Sequence, residues 1–300
     1  MKKVNSFLLL FFFLYFILLI FLSHKFLFFK RWFYTFIWWG YILFFDLYFR
    51  KIRGFSLFSR GIFKFLRGIF FSVFIWNIFE IYNLILKNWS YYNLPISRYE
   101  RYLGYFLGFG TVVYGILIST EILFYLFGGK IFEIDIYSFF LGRKKFSLFL
   151  GITFLILPLL FSRYFFPLIW LSFIFLFVPM FKKLPEVFPF LKEINYVEKF
   201  NFILLGGLLS GFLWEFWNYF ALSRWKYHLP FLNSPKIFEM PIAGFGGFLP
   251  FAIEVYFLYS FLIYLEGKLS LIQKILFYIF IFLEIFLTFT LIDKFTVIWY

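Results

Sequence analysis

Two polar groups of the same composition interrupt long apolar stretches of this chain. Glu80 and Asn83 form the first group, and Glu215 and Asn218 form the second. Side chains three positions apart lie on one face of a helix, so each carboxyl has an amide beside it. A carboxyl group that is removed from water can hold a proton and donate it to a substrate. The pattern predicts such a proton or substrate site in each half, or else a structural pin through hydrogen bonds worth roughly 0.6–2 kcal/mol.

Both polar groups belong to a longer repeat with an offset of 135 or 136 residues. The matched pairs are Glu80 with Glu215, Asn83 with Asn218, Trp89 with Trp225, Tyr91 with Tyr227, Pro95 with Pro230, and Gly108-Phe109-Gly110 with Gly244-Phe245-Gly246. A nearly constant offset across anchors of different residue types indicates that two copies of one module were fused.

Aromatic side chains follow each polar group at a fixed spacing. Trp89 and Tyr91 follow the first group, and Trp225 and Tyr227 follow the second. Trp and Tyr commonly anchor a helix at the membrane–water interface. The fixed Trp-x-Tyr spacing in both copies further predicts that the chain folds back at these points and covers the helix ends.

The second copy is richer in groups that can transfer protons or stabilise charge. Glu239 and His228 lie in the loop after its polar group, and Glu254 lies in the next apolar stretch. The ring faces of Trp214 and Trp217 are suited to stabilise developing positive charge, as is that of the Trp in the Trp-x-Tyr segment. This imbalance predicts that the second copy is the working site.

Two further features compare the copies: the residue one turn before each Glu, and a pair of small residues in each copy. Trp76 lies one turn before Glu80 on the same face, and Gly211 has the matching position before Glu215. Two small-x-x-x-small pairs, whose spacing lets helices approach closely, are predicted to serve packing. These pairs are Gly104 with Gly108, and Ala243 with Gly247.

The composition is that of a polytopic membrane protein. The chain has 300 residues and is 64% hydrophobic, whereas soluble domains are nearer half apolar. With no Cys and two His residues, it excludes thiolate chemistry and a His/Cys metal cluster. The net charge of +14 comes from Lys and Arg in short loops, which is typical of a topology signal. We therefore expect membrane lipids as partners, and no nucleic acid, metal or cofactor.

The apolar runs predict an all-α bundle of nine spans in a single membrane domain. Their approximate ranges are 5–22, 33–49, 66–87, 103–127, 146–162, 165–181, 200–222, 242–265 and 270–292. The repeat groups the first eight spans into two four-helix copies, at about 1–127 and 146–265, and leaves one extra C-terminal span. Because each copy has an even number of spans, the copies run parallel.

The charges of the loops predict the orientation in a bacterial inner membrane. The N-terminus and the even-numbered loops carry 18 Lys and Arg residues, against 11 in the odd-numbered loops and the C-terminus. The densest cluster consists of Arg50, Lys51, Arg53, Arg60, Lys64 and Arg67. The positive-inside rule then predicts a cytoplasmic N-terminus, an outside C-terminus, and Trp-x-Tyr segments at the outer face.

These motifs resemble those of an uncharacterised family of bacterial polytopic membrane proteins. The resembling stretches run from Phe79 to Glu121 and from Leu213 to Tyr256. They include Asn88-Trp89-Ser90-Tyr91, Phe109-Gly110-Thr111-Val112, Leu213-Trp214-Glu215-Phe216-Trp217-Asn218 and Phe238-Glu239-Met240-Pro241. The resemblance implies the membrane fold and no particular activity.

More remotely, the order of an acidic helix, Trp-x-Tyr and an acid-proline segment is similar to that of the small membrane lycopene cyclases. Those enzymes also come as two related halves, and they carry a Pro-x-Glu-Glu element. Here the acid-proline segment is Glu239-Met240-Pro241, without paired acids.

Our leading hypothesis is a protein that handles a lipid or isoprenoid-like molecule near the outer face, with general-acid chemistry by a carboxyl group. The candidate acids are Glu215, Glu239 and Glu80. The expected substrate contacts are Asn83, Asn218, Trp89, Tyr91, Trp214, Trp217, Trp225, Tyr227, His228 and Glu254. A proton-coupled transporter and a structural membrane subunit are the alternatives.

Overall fold

The computed structural model describes residues 6–59, 61–131, 135, 138–231 and 233–299, and it is 77% helical. Its helices are α1 (Ser6–Lys25), α2 (Leu27–Arg31), α3 (Phe33–Arg53), α4 (Ile62–Leu86), α5 (Arg98–Phe109), α6 (Val112–Leu126), α7 (Ser138–Leu141), α8 (Lys144–Leu160), α9 (Ser162–Phe165), α10 (Ile169–Phe177), α11 (Tyr196–Phe220), α12 (Ile242–Lys268) and α13 (Leu271–Phe295). Three 3₁₀ turns lie at Phe166–Leu168, Val178–Lys183 and Pro189–Leu191. Short strands are β1 (Trp89–Tyr92), β2 (Arg224–Tyr227), β3 (Lys236–Ile237), β4 (Met240–Pro241) and β5 (Val297–Ile298). Arg60 of the predicted basic cluster lies outside the described residues.

Six helical segments of the described chain are long and apolar enough to cross a membrane. They are Ile62–Leu86, Arg98–Leu126, Ser162–Lys183, Tyr196–Phe220, Ile242–Lys268 and Leu271–Phe295. The chain is therefore a bundle of apolar helices of the kind that membrane proteins form. The other three predicted spans, 5–22, 33–49 and 146–162, fall on α1, α3 and α8, which are not among the six, so the count of nine spans stays a prediction.

The last span begins at a helix-capping motif and exposes most of its large apolar side chains. Ser270 and Gln273 form a reciprocal capping box that satisfies backbone N–H groups at the start of α13. Along α13, most large apolar side chains are exposed, as Leu271 and Ile272 are at 75% and 72%. The only solvent that suits such a surface is the hydrocarbon of a bilayer, so this helix covers the bundle on its lipid side.

One end of the bundle is closed by a small sheet, and we call it the sheet end. Strand β1 pairs antiparallel with β2 and parallel with β5. In the β1–β2 register, Trp89 is opposite Tyr227 and Tyr91 is opposite Trp225, so each Trp-x-Tyr segment lies against the other in reverse. The fold-back predicted from the Trp-x-Tyr spacing is confirmed.

Ion pairs tie helices together at the opposite end of the bundle. Arg53 of α3 pairs with Asp46 of the same helix and, at 2.9 Å, with Glu121 of α6. These charges are buried and are tolerated because they are paired. Arg67 of α4 lies 2.7 Å from Glu266 of α12, and this partly exposed pair joins the two halves of the chain.

Candidate functional site

The carboxyl of Glu80 is fully buried and accepts hydrogen bonds from three aromatic side chains. Its Oε1 accepts from Trp76 Nε1 at 2.8 Å, from Trp89 Nε1 at 3.1 Å and from Tyr91 Oη at 2.5 Å. Burial raises the pKa of Tyr91 well above its usual value, and the negative charge of Glu80 is the second cause. The phenol therefore stays protonated and serves as a donor. The predicted proximity of Trp76 to Glu80 is confirmed.

The carboxyl of Glu215 is equally buried but has one direct hydrogen-bond donor in the described part of the chain. Tyr227 Oη donates to its Oε1 at 2.7 Å, and Trp225 Nε1 donates to that phenol oxygen at 2.8 Å. Burial raises the pKa of Tyr227 well above its usual value, and the negative charge of the nearby Glu215 is the second cause. The second oxygen of each carboxyl, Glu80 Oε2 and Glu215 Oε2, is buried without a hydrogen-bond partner among the described residues. Both carboxyls are therefore held by Trp-x-Tyr segments, but Glu215 is held less tightly.

Two changes produce the difference between the two carboxyls. Trp89 donates to Glu80, whereas its counterpart Trp225 donates to the Tyr227 phenol, and the residue one turn before each carboxyl also differs. Trp76 supplies a third donor to Glu80, whereas Gly211 at the matching position supplies none. Phe248 of α12 packs where a side chain at Gly211 would lie, and a Cβ there would come within 2.8 Å of the Phe248 Cβ. The second copy thus replaces a hydrogen-bond donor by an apolar ring.

Asn83 and Asn218 fix the strands to the helix ends. Asn83 donates its Nδ2 to Trp89 O at 2.9 Å, and its Oδ1 accepts from the backbone N–H groups of Asn88 and Trp89. Asn218 donates to Trp225 O at 2.9 Å and accepts from Trp225 N at 3.0 Å. Both amides therefore place the Trp-x-Tyr segments under the carboxyls, and substrate contact by either amide stays a prediction.

Replacing Asn83 by Ala is expected to lower the free energy of unfolding by about 2 kcal/mol, because it leaves buried backbone groups of Asn88 and Trp89 unpaired. Thermal unfolding in detergent micelles checks this. Asn233, an exposed side chain that donates to Leu229 O, gives the control substitution Asn233→Ala with an expected change below about 0.5 kcal/mol. Equal destabilisation by the two substitutions would contradict the anchoring role of Asn83.

A cavity of about 190 Å³ lies between the two halves of the chain at the sheet end. Since a single water molecule needs roughly 10–15 Å³, this cavity is large enough for a ligand of many atoms. Its wall is rich in aromatic side chains. The aromatic lining residues are Trp32, Tyr34, Trp76, Trp89, Tyr91, Tyr105, Phe109, Phe166, Trp170, Trp214, Trp225, Tyr227, Phe248 and Phe251. Glu215 lines this cavity, whereas Glu80 lies behind Trp76, Trp89 and Tyr91, which do line it. Trp214 Nε1, like Glu215 Oε2, is buried without a partner.

Several predicted site residues lie outside the cavity lining. Glu239 lies 3.5 Å from Arg224, and Glu254 Oε1 accepts from the backbone N–H of Phe173 at 2.8 Å. Trp217 packs edge-on against Trp38, with ring centroids 4.5 Å apart.

His228 also lies outside the lining, on the exposed side of the sheet. Its Nε2 contacts Tyr92 Oη at 3.2 Å, and its backbone N–H donates to Asn88 O. Partial burial, with Lys236 and Lys226 nearby, lowers its pKa, so the ring is neutral near pH 7. A neutral imidazole held against a tyrosine at the strand edge is a surface feature of the sheet.

The glycines predicted to serve close helix packing instead widen the cavity. A Cβ at Gly104 or Gly108 would come no closer than 3.9 Å to a ring atom of Trp32 or Tyr34, and one at Gly247 would lie 3.8 Å from Trp170. These are ordinary contacts, and all three glycines line the cavity. The packing prediction was wrong for these positions because aromatic rings from other helices, not backbones, face the glycines.

Three arginines of this cavity are not among the site residues predicted from the sequence. Arg31, Arg101 and Arg224 all line it. As loop residues they counted only as topology signals. Arg224 directly precedes the Trp-x-Tyr segment of the second copy, and that position was the available signal.

The chain matches no protein-family model, no curated protein and no solved structure. The resemblances to an uncharacterised bacterial membrane family and to the small lycopene cyclases stay expectations that rest on the quoted motifs.

Proposed function

We propose that this helical membrane protein binds a lipid with an isoprenoid-like chain in the cavity at the sheet end, and that Glu215 exchanges a proton with it. The observation that carries the proposal is that Glu215 brings a carboxyl oxygen without a partner to the lining of an aromatic cavity. Glu80 Oε2 also lacks a partner among the described residues, but of these two acids Glu215 is the one that lines the cavity. A buried polar atom without a partner is costly unless something else, such as a substrate, completes it.

The surroundings of Glu215 favour the protonated acid. No cation lies within ion-pair distance of its carboxyl among the residues that the structure describes. An unpaired buried carboxylate is expensive, so the neutral form is the one that we expect in the free protein. Tyr227 fixes Oε1, which leaves Oε2 to carry the proton toward the cavity.

The aromatic wall suits a reaction that passes through positive charge. Transfer of the Glu215 proton to a carbon–carbon double bond forms a C–H bond and a carbocation on the adjacent carbon. The faces of Trp214 and Trp225 can stabilise that cation. The carboxylate then takes a proton from a neighbouring carbon, which restores a double bond and the acid. Atoms and electrons balance without a cofactor, so the net change is an isomerisation or cyclisation.

The proposal includes the repeat and the orientation predicted from the sequence. The reciprocal pairing of Trp89 with Tyr227 and of Tyr91 with Trp225 supports two copies related by a two-fold axis. An axis along the membrane normal is what parallel repeats require. With nine spans and a cytoplasmic N-terminus in a bacterial inner membrane, the cavity opens near the outer face.

Two alternatives are less well supported. A purely structural subunit would have both carboxyls fully hydrogen-bonded and no cavity between the copies. Instead, one oxygen of each carboxyl lacks a partner among the described residues, and a cavity lies between the two halves. A proton-coupled transporter is favoured by the break between α5 and α6 at Gly110 and Thr111, inside the span Arg98–Leu126. Against it, the ion pairs of Arg53 and Arg67 connect the helices at the opposite end, and no residue of those pairs lines the cavity.

Replacing Gly247 by Leu is expected to weaken the binding of farnesol, a neutral isoprenoid alcohol, at least tenfold. The new side chain would occupy space in the cavity, and displacing two CH₂ groups of a ligand forfeits about 1.6 kcal/mol. Titration of radiolabelled farnesol into the protein in lipid nanodiscs measures the dissociation constant.

The neighbouring residue gives a matched control. Gly246 is in the same helix, has no atom within 4 Å of its added Cβ, and does not line the cavity. Gly246→Leu should leave farnesol affinity within about twofold of the original. Equal affinities for the two Leu variants, or no farnesol binding at all, would overturn the proposed function.

A further inference from the structure

Two arginines in the cavity have guanidinium nitrogens without partners. Arg31, the last residue of α2, and Arg224, the first residue of β2, both line the cavity. The Nε atoms of both are buried and lack a hydrogen-bond partner. Arg31 has no ion pair in the described part of the chain. Arg224 Nη1 lies 3.5 Å from Glu239 and donates to Tyr219 O at 3.2 Å. A guanidinium group with an unused N–H donor can donate a hydrogen bond to an anion.

The backbone holds the two arginines close together. The N–H of Leu222 donates to Lys30 O at 2.9 Å, which joins the residue before Arg31 to the residue two before Arg224. Arg224 also borders a second recess, lined in part by His24 and Lys30. Basic side chains from two distant parts of the sequence therefore meet at one edge of the aromatic cavity.

The other charged groups of the cavity are already engaged. Arg101 donates to both carboxylate oxygens of Asp293 and to the backbone oxygens of Pro95 and Ile96. Glu100 accepts from Trp32 Nε1 at 3.2 Å. Arg101 is thus a structural residue, and the buried guanidinium N–H groups of the lining that lack a partner among the described residues belong to Arg31 and Arg224.

We infer that Arg31 and Arg224 bind the anionic head group of the lipid, a phosphate or a carboxylate, while its chain lies against the aromatic wall. The inference rests on the proposed function and narrows its substrate class from apolar molecules to anionic amphiphiles. Guanidinium groups suit both anions because their N–H donors match the spacing of phosphate and carboxylate oxygens. The head group then stays at the edge of the bundle and the chain reaches Glu215.

The test compares farnesyl phosphate, farnesol and inorganic phosphate on the protein in nanodiscs of zwitterionic lipid. We expect farnesyl phosphate to bind at least tenfold more tightly than farnesol, and inorganic phosphate not to compete at equimolar concentration. Arg31→Met and Arg224→Met should each lower the affinity for farnesyl phosphate at least fivefold while changing that for farnesol by less than twofold. Arg98, exposed and outside the cavity lining, gives the control Arg98→Met, which should change neither.

The outcomes separate the head-group site from the proposed function. Equal affinities for farnesol and farnesyl phosphate, both weakened by Gly247→Leu, would overturn the head-group site and leave the proposed function standing. Full competition by inorganic phosphate would show that the arginines bind free anions, and it would overturn the proposal that they bind the head group of an amphiphile. Absence of binding by both isoprenoids would overturn both proposals. Loss of farnesol binding in an arginine variant would show a folding defect. Arg31→Lys and Arg224→Lys, which keep the charge, should then bind farnesol normally and farnesyl phosphate more tightly than farnesol. Equal affinities of the Lys variants for the two isoprenoids would refute the head-group role.

Discussion

Replacing Glu215 by Gln is expected to lower conversion of the isoprenoid substrate at least about 100-fold. Gln keeps the size and the acceptor for Tyr227 Oη, but it has no acidic proton, and a positioned general acid contributes roughly 10²–10⁴-fold to a rate. In cells, the substrate lipid should accumulate and its isomer or cyclic product should disappear. Mass spectrometry of total lipid extracts measures both.

Glu239→Gln is the matched control for this result. Glu239 is an acid of the same copy, but it does not line the cavity and it lies beside Arg224. We expect its lipid profile to match the unmodified protein within about threefold. An unchanged profile in Glu215→Gln, or equal losses in both variants, would contradict the assignment of Glu215 as the acid.

Replacing Glu80 by Leu is expected to destabilise the fold by about 3–5 kcal/mol. The substitution leaves the Nε1 atoms of Trp76 and Trp89 and the phenol of Tyr91 without their acceptor. Each unpaired buried donor costs about 1–3 kcal/mol, and Trp76 can recover part of this by turning toward the cavity. Thermal unfolding in detergent measures the loss.

Two further variants make this prediction specific. Glu80→Gln keeps an acceptor and should recover most of the stability. Glu215→Leu removes the acceptor of one direct donor only, so we expect it to cost about 1–2 kcal/mol, clearly less than Glu80→Leu. Equal costs for the two Leu substitutions would contradict the division between an anchoring carboxyl and a working carboxyl.

The sequence repeat allowed several contacts of the candidate site to be predicted. Because the spacing from carboxyl to Trp-x-Tyr is nearly constant, the fold-back of both segments could be predicted, and the contact between Trp76 and Glu80 followed from helical periodicity. The sequence also favoured the second copy as the working site, partly because Gly211 occupies the position of Trp76 in the first copy, and that assignment stays a prediction.

Contacts between distant elements could not be predicted in the same way. Nothing local says that aromatic rings would face Gly104 and Gly108, so a spacing typical of helix packing turned out to widen a cavity. The meeting of Arg31 with Arg224 depends on a backbone hydrogen bond between α2 and the segment before β2. Periodicity describes one helix at a time, and these features arise only when helices pack.

The incorporation of deuterium from solvent into the lipid tests most directly whether Glu215 transfers a proton to the substrate. The protein is incubated in D₂O with farnesyl phosphate, and the recovered lipid is analysed by mass spectrometry for carbon-bound deuterium. If Glu215 exchanges its proton with a double bond, the unmodified protein places deuterium on carbon, and Glu215→Gln places at least 100-fold less. Equal deuterium contents with the two proteins, or none with the unmodified protein, would contradict proton transfer by Glu215.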